Sequence, residues 1–241
     1  ARSRGMAGGR PWLLIEHSTA AVNWQPVNRA KAPGEMARNT LAHIARGADG
    51  AMFFQWRQST AGSEQFHSAM VPHAGADSQV YRDVVALGAT LRALAPVVGS
   101  RVERAQVAML LDHDAAAAWA SGPKPSSLVT AVDLPRAVHR ALTELGIAVD
   151  VLRPGDALDG YRALVVPTLF LATDATADAV RDFAASGGHV LVTYLSGIVD
   201  ETNRVRAGGY PGAFCDLLGV RVDEFFPLFA GDTVALDDGS T

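Results

Sequence analysis

Apolar and polar positions along this chain change their period several times, and each change marks a candidate element. Trp12, Leu13, Leu14 and Ile15 form an unbroken apolar run that Glu16 and His17 end, which predicts a strand over Trp12–His17 buried on both faces. A polar, turn-rich stretch with Asn23, Trp24 and Pro26 follows. The next element is a helix starting near Ala32-Pro33-Gly34, with Glu35 in its first turn, Ala37, Leu41 and Ile44 at helical spacing, and Gly47 as its stop. "GAMFFQW" (Gly50–Trp56) reads as a second β-rich run, and after a long polar loop Val80, Val84, Leu87, Leu91 and Leu94 form one helical stripe. Strand, helix, strand, helix predicts two βα units.

Beyond "APVVGSRVER" (Ala95–Arg104) the same alternation resumes with shorter loops. "AQVAMLLD" reads as a strand, and Leu134, Val138, Leu142 and Leu145 share one helical face closed by Gly146. "IAVDVL" and "YRALVVPTL" are strands, "DATADAVRDFAASGG" is a helix with a glycine stop, and "HVLVTYL" is a strand. "AAAAWASGPKPSS" (Ala115–Ser127) reads as a surface excursion, "DTVAL" near the C-terminus as strand-like. This pattern predicts an α/β protein whose second half is an open parallel sheet with helices on both faces.

Composition narrows the partners. The 241 residues are 49% hydrophobic and 19% charged, enough for a sizeable core, and the net charge of −4 comes with no long basic cluster. That argues against nucleic acid or an anionic membrane as a partner. No run approaches a membrane span, and Cys215 is the only cysteine, so neither an intrachain disulfide nor a cysteine-based zinc site is available. A cytoplasmic location is the expectation. The first residue is not Met and the sequence ends just after "DTVAL", so both ends read as cut.

Candidate chemistry gathers after the strands of the first half, because parallel strands present active sites at their carboxyl ends. Glu16 lies there, as do Gln55 and Trp56. Glu64 and His67 form an E-x-x-H pair that would share one face of a helix. Each has an ordinary alternative: Glu16 as an ion-pair partner, Glu64 and His67 as a surface pair or two metal ligands, Trp24 and Trp56 as core. His17 reads as a hydrogen-bonding residue at the strand end. Aromatic faces beside carboxylates are also what sugar rings stack on. Cys215, in the helical context "GAFCDLLG", lacks the strand-to-helix elbow of an amidotransferase nucleophile.

The ordered string "GRPWLLIEHSTAAVNWQPVNRAKAPGEMARNTLAHIARGADGAMFFQWRQSTAGSEQFHSAMVPHAG" strongly resembles glycoside hydrolase family 42, the β-galactosidases. The resemblance continues through "YRALVVPTLFLATD", "SGIVDETNRVRAGGYPGAF" and "LLGVRVDEFFPL", nearly the whole chain. It implies a (β/α)8 barrel followed by a Rossmann-like, amidotransferase-like trimerisation domain. Residues 1–97 would be the last βα units of the TIM barrel and residues 102–241 the trimerisation domain. Glu16 matches the family's catalytic nucleophile, buried beside the barrel mouth. Trp24 matches the aromatic lining the galactose subsite, Phe54 an aromatic near the sugar, and Glu64 with His67 the pair that hydrogen-bonds galactose hydroxyls.

No cofactor and no metal are expected; the partners would be a β-galactoside substrate and two further copies in a homotrimer. The sequence departs from the family in lacking the Asn-Glu pair that carries the acid/base residue and the cysteine cluster that binds zinc in some members. "LLDHDAAAAWASGPKPSS" is also less aromatic than the usual family segment. The other reading of the chain is a non-catalytic oligomerisation or binding module.

Overall fold

The computed structural model describes residues 1–235. Contacts divide it into two units, one holding residues 1, 3 and 7–103 and the other residues 104 onward together with residues 2 and 4–6. In chain order the elements are α1 (Arg2–Ala7), β1 (Trp12–Leu14), α2 (Glu35–Ile44), β2 (Ala48–Ala51), α3 (Gln79–Ala93), β3 (Val107–Leu110) and α4 (His113–Ser121). They continue with α5 (Asp133–Glu144), β4 (Val149–Leu152), β5 (Ala163–Val166), α6 (Asp174–Ala185), β6 (His189–Val192) and α7 (Cys215–Leu218). No helix among the described residues is long and apolar enough to cross a membrane.

In the first unit β1 and β2 pair in parallel around α2, so the expected βαβ crossover is present. Glu35 starts α2 by accepting the Ala32 N–H at 2.9 Å, while Gly34 takes φ 78° at the cap, a conformation that suits glycine. Ser78 caps α3 by accepting from the Tyr81 N–H, and its apolar stripe turns inward, with Leu87 fully buried. The strand predicted over Trp12–His17 is shorter and less covered than its composition suggested. Regular pairing stops at Leu14, and Leu13 and Ile15 are 53% and 72% exposed. A two-stranded sheet leaves a face that no described element of this unit covers. A cleft of about 680 Å³, lined by Leu41, Ile44, Leu91, Leu94 and Val102 among others, lies at the amino end of β2.

The second unit is a four-stranded sheet, order β4-β3-β5-β6, with every pairing parallel. Leu164 and Val166 of β5, Val180 of α6 and Phe214 are fully buried in one cluster with Ala108 and Leu110 of β3. Burial of each large side chain contributes about 1.5–3 kcal/mol. Phe214 can lie there because Gly197, at φ 65°, has no side chain; a Cβ would meet the ring at 2.7 Å. Ser196 satisfies the buried backbone, accepting from the Leu169 N–H at 3.1 Å and donating to the Val166 carbonyl at 2.9 Å.

Two expectations change here. Of the stretch read as a surface excursion, Ala115–Ser127, residues 115–121 fold instead into α4, capped by Asp112 and burying Ala115 and Trp119, while residues 122–127 form an irregular surface stretch. The alanine run favours helix without any polar–apolar alternation, so its period was invisible. Trp119 donates to the Val129 carbonyl at 3.0 Å and meets the Phe170 ring edge-on at 5.2 Å. Residues 232–235 of the strand-like "DTVAL" form no strand, and Leu236 lies outside the described residues.

The basic N-terminal stretch forms α1, whose residues are counted largely with the second unit. Arg4 pairs with Asp150 of β4, and a Cβ on Gly5 would overlap the Val151 carbonyl. Asp150, 8% exposed, also accepts from the Ala105 N–H at 3.0 Å and the Tyr161 hydroxyl at 3.1 Å. Arg104 lies over the Tyr161 ring at 4.1 Å.

Candidate active site

The carboxyl ends of β1 and β2 stay joined past the last regular pairs. Met52 N–H donates to Leu14 O at 2.8 Å and Phe54 N–H to His17 O at 3.1 Å, and Ser18 bridges Phe54. Glu16 therefore lies on the stretch where β1 and β2 remain joined beyond their regular pairs. Its side chain is exposed and makes no hydrogen bond or ion pair among the described residues, in contrast to the buried position expected for it. The carboxylate is open to a ligand.

His17 turns the other way. Its ring lies 5.3 Å from Phe53 and 6.3 Å from His43, and burial, with Lys31 and His43 adding repulsion, pushes its pKa down to about 4. The imidazole is accordingly neutral near pH 7. Lys31 reaches Ser18, donating to both its carbonyl and its hydroxyl, the latter at 2.9 Å; burial lowers the ammonium pKa. A fixed donor thus pins the backbone two residues after Glu16.

On the neighbouring loop, Glu64 and His67 lie in a turn rather than on a helix, linked by the His67 N–H donating to the Glu64 carbonyl at 3.0 Å. His67 is 5% exposed, its Nδ1 lies 3.0 Å from the Ser68 carbonyl, and it meets the Phe54 ring edge-on at 4.8 Å. Ser68 ties this loop to the segment after β1. Its N–H donates to the Ala21 carbonyl and its hydroxyl accepts from the Ala20 N–H, both at 2.9 Å. Asn23 donates to Glu64 Oε2 at 3.1 Å and to the Ser63 carbonyl at 2.6 Å. Its chain neighbour Trp24 is 70% exposed, and Trp56 62%, so neither tryptophan is core.

Phe54 and His67 are therefore in direct contact, and Glu64 is held to the residue beside Trp24. No direct contact joins Glu16 to the other four candidates. Asn23 and Lys31 were not singled out from the sequence as functional. Asn23 read as turn chemistry, and its partner lies 41 residues away, beyond any local period. Among the described residues no group of three or more His, Cys, Asp or Glu could hold a metal. An open carboxylate, a second one oriented by an amide, and exposed indoles suit a ligand with hydroxyls on its edges and C–H groups on its faces. In the second unit Asp150 is fully engaged, and Cys215 starts α7 with its Sγ 3.9 Å from the Gly209 carbonyl.

Comparison with known proteins bears on both units. A family model described as β-galactosidase matches residues 2–94, and one described as β-galactosidase trimerisation domain matches residues 105–241. A β-galactosidase from Arthrobacter sp. is 58% identical over 240 residues, covering 99% of this chain and 34% of that protein. One from Bifidobacterium bifidum is 42% identical over 243 residues, covering 98% and 35%. The crystal structure of a β-galactosidase from Bacillus circulans sp. alkalophilus superposes with a TM-score of 0.89 at 33% identity, covering 95% of this chain and 34% of that one. The chain thus spans about a third of the length of the relatives it matches.

Proposed function

Because the chain belongs to the glycoside hydrolase family 42 β-galactosidases, we propose that it supplies the nucleophile and one side of the galactose subsite of a retaining β-galactosidase. The observation that carries this reading is the open Glu16 carboxylate at the end of a parallel strand, beside the loop that holds Phe54, Glu64 and His67. Glu16 attacks the anomeric carbon of a terminal β-galactosyl residue as the bond to the aglycone oxygen breaks. The aglycone oxygen takes a proton from a carboxylic acid about 5–5.5 Å away across the bond. Water, deprotonated by that same group, then cleaves the galactosyl–Glu16 ester and releases galactose with retained configuration. Trp24 stacks on the sugar face, Phe54 shapes the pocket, and Glu64 and His67 bind hydroxyls through hydrogen bonds that strengthen as charge develops on the ring.

The acid/base group falls outside this sequence, which has no Asn-Glu pair. Residues 1–97 supply only part of a barrel whose interior needs eight strands to fill it. Chain 1–241 assayed alone with a chromogenic β-galactoside is therefore expected to show no turnover. Turnover comparable to a complete enzyme would place the proton donor within these residues and reject the division of labour.

Residues 102–241 are assigned to assembly. The trimerisation family model, which matches residues 105–241, supports this reading. The complete enzyme is expected to sediment as a trimer at micromolar concentration; a stable monomer would count against this role.

A further inference from the structure

We propose that Asn23 is a positioning residue for the galactose subsite, one that sets the orientation of the Glu64 carboxylate. The proposal rests on the reading of Glu64 as a sugar-binding group. Both atoms facing the Asn23 amide are acceptors, Glu64 Oε2 at 3.1 Å and the Ser63 carbonyl at 2.6 Å. Only the NH₂ end of an amide can serve two acceptors, so its orientation is fixed by its partners. One hydrogen goes to the backbone of the E-x-x-H turn and the other to its carboxylate, leaving Glu64 Oε1 without a partner among the described residues and free for a ligand hydroxyl.

The neighbouring indole is held separately. Trp24 follows directly, 70% exposed, on a segment that the Ala20 and Ala21 hydrogen bonds already tie to Ser68. Without the Asn23 bridge, the turn at 62–67 and the segment at 20–24 would still meet at Ser68, but Glu64 would be free to rotate. Asn23 itself touches no reacting atom in this account. It acts by removing the rotational freedom of a carboxylate that must otherwise be ordered when substrate binds.

The test uses the complete enzyme with four proteins: wild type, Asn23→Ala, Glu64→Ala and the double variant. Asn23→Ala is expected to lower kcat/KM tenfold or more, with no further loss when added to Glu64→Ala, because both changes remove one function. A merely structural asparagine would cost activity in both backgrounds. Asn23→Asp supplies a second, conservative readout. Two carboxylates about 3 Å apart cannot both ionise readily, so kcat/KM should fall near pH 7. It should recover as pH is lowered, when the protonated aspartic acid donates to Glu64 as the amide did. Loss at Glu64→Ala with Asn23→Ala within twofold of wild type, or an Asn23→Asp profile parallel to wild type, overturns the role of Asn23. An unaffected Glu64→Ala enzyme overturns the subsite reading itself.

Discussion

Glu16→Gly in the complete enzyme is expected to slow β-galactoside hydrolysis by a thousandfold or more, and added azide to restore turnover with an α-galactosyl azide as product. The size follows from the chemistry: losing a covalent nucleophile leaves one difficult displacement where there were two easier ones. A barrier higher by about 4 kcal/mol is on the order of a thousandfold in rate. Glycine leaves space for azide on the nucleophile's face, where a single displacement inverts the anomeric centre. Nothing among the described residues pairs with the Glu16 side chain, so its removal orphans no buried group and the fold should survive. Product analysis by NMR decides it. Full activity in Glu16→Gln, or a β-configured azide, would move the nucleophile elsewhere.

Arg4→Ala is expected to destabilise the second unit by about 1–3 kcal/mol, because it removes the cation from a largely buried carboxylate. Asp150 is 8% exposed, and its other two partners, the Ala105 N–H and the Tyr161 hydroxyl, are neutral. They can solvate the carboxylate but not neutralise it. Asp150→Asn in the Arg4→Ala background should recover most of the loss, because the uncompensated charge goes with it. Denaturant-dependent hydrogen exchange of the β3 and β4 amides in chain 1–241 reports both. A change below about 0.5 kcal/mol in Arg4→Ala, the scale of an exposed pair, would mean that the pair is open to water in solution.

What the sequence made legible follows from range. The stripe Val80, Val84, Leu87, Leu91, Leu94 located α3, and apolar β-rich runs located β3, β5 and β6, because neighbours along the chain carry that information. The six-residue α1 has no stripe to read, and α4 hid in an alanine run. Coverage is not local either. Ile15 looks like core by composition and is 72% exposed, since burial depends on what lies over the strand rather than on the strand. The site divides the same way. Glu16 and Trp24 could be singled out by a strand end and a turn; the amide that orients Glu64 could not, being 41 residues from its acceptor.

The docking of α1 has a further consequence for how the chain is made. Arg4 leaves the ribosome well before its partner, which lies 146 residues further on. At translation rates of about 5–20 residues per second that is a wait of roughly 7–30 s. The entire first unit is thus synthesised before β4 exists to receive α1. In a living cell, Arg4 therefore passes those seconds without the carboxylate that holds it in the folded chain.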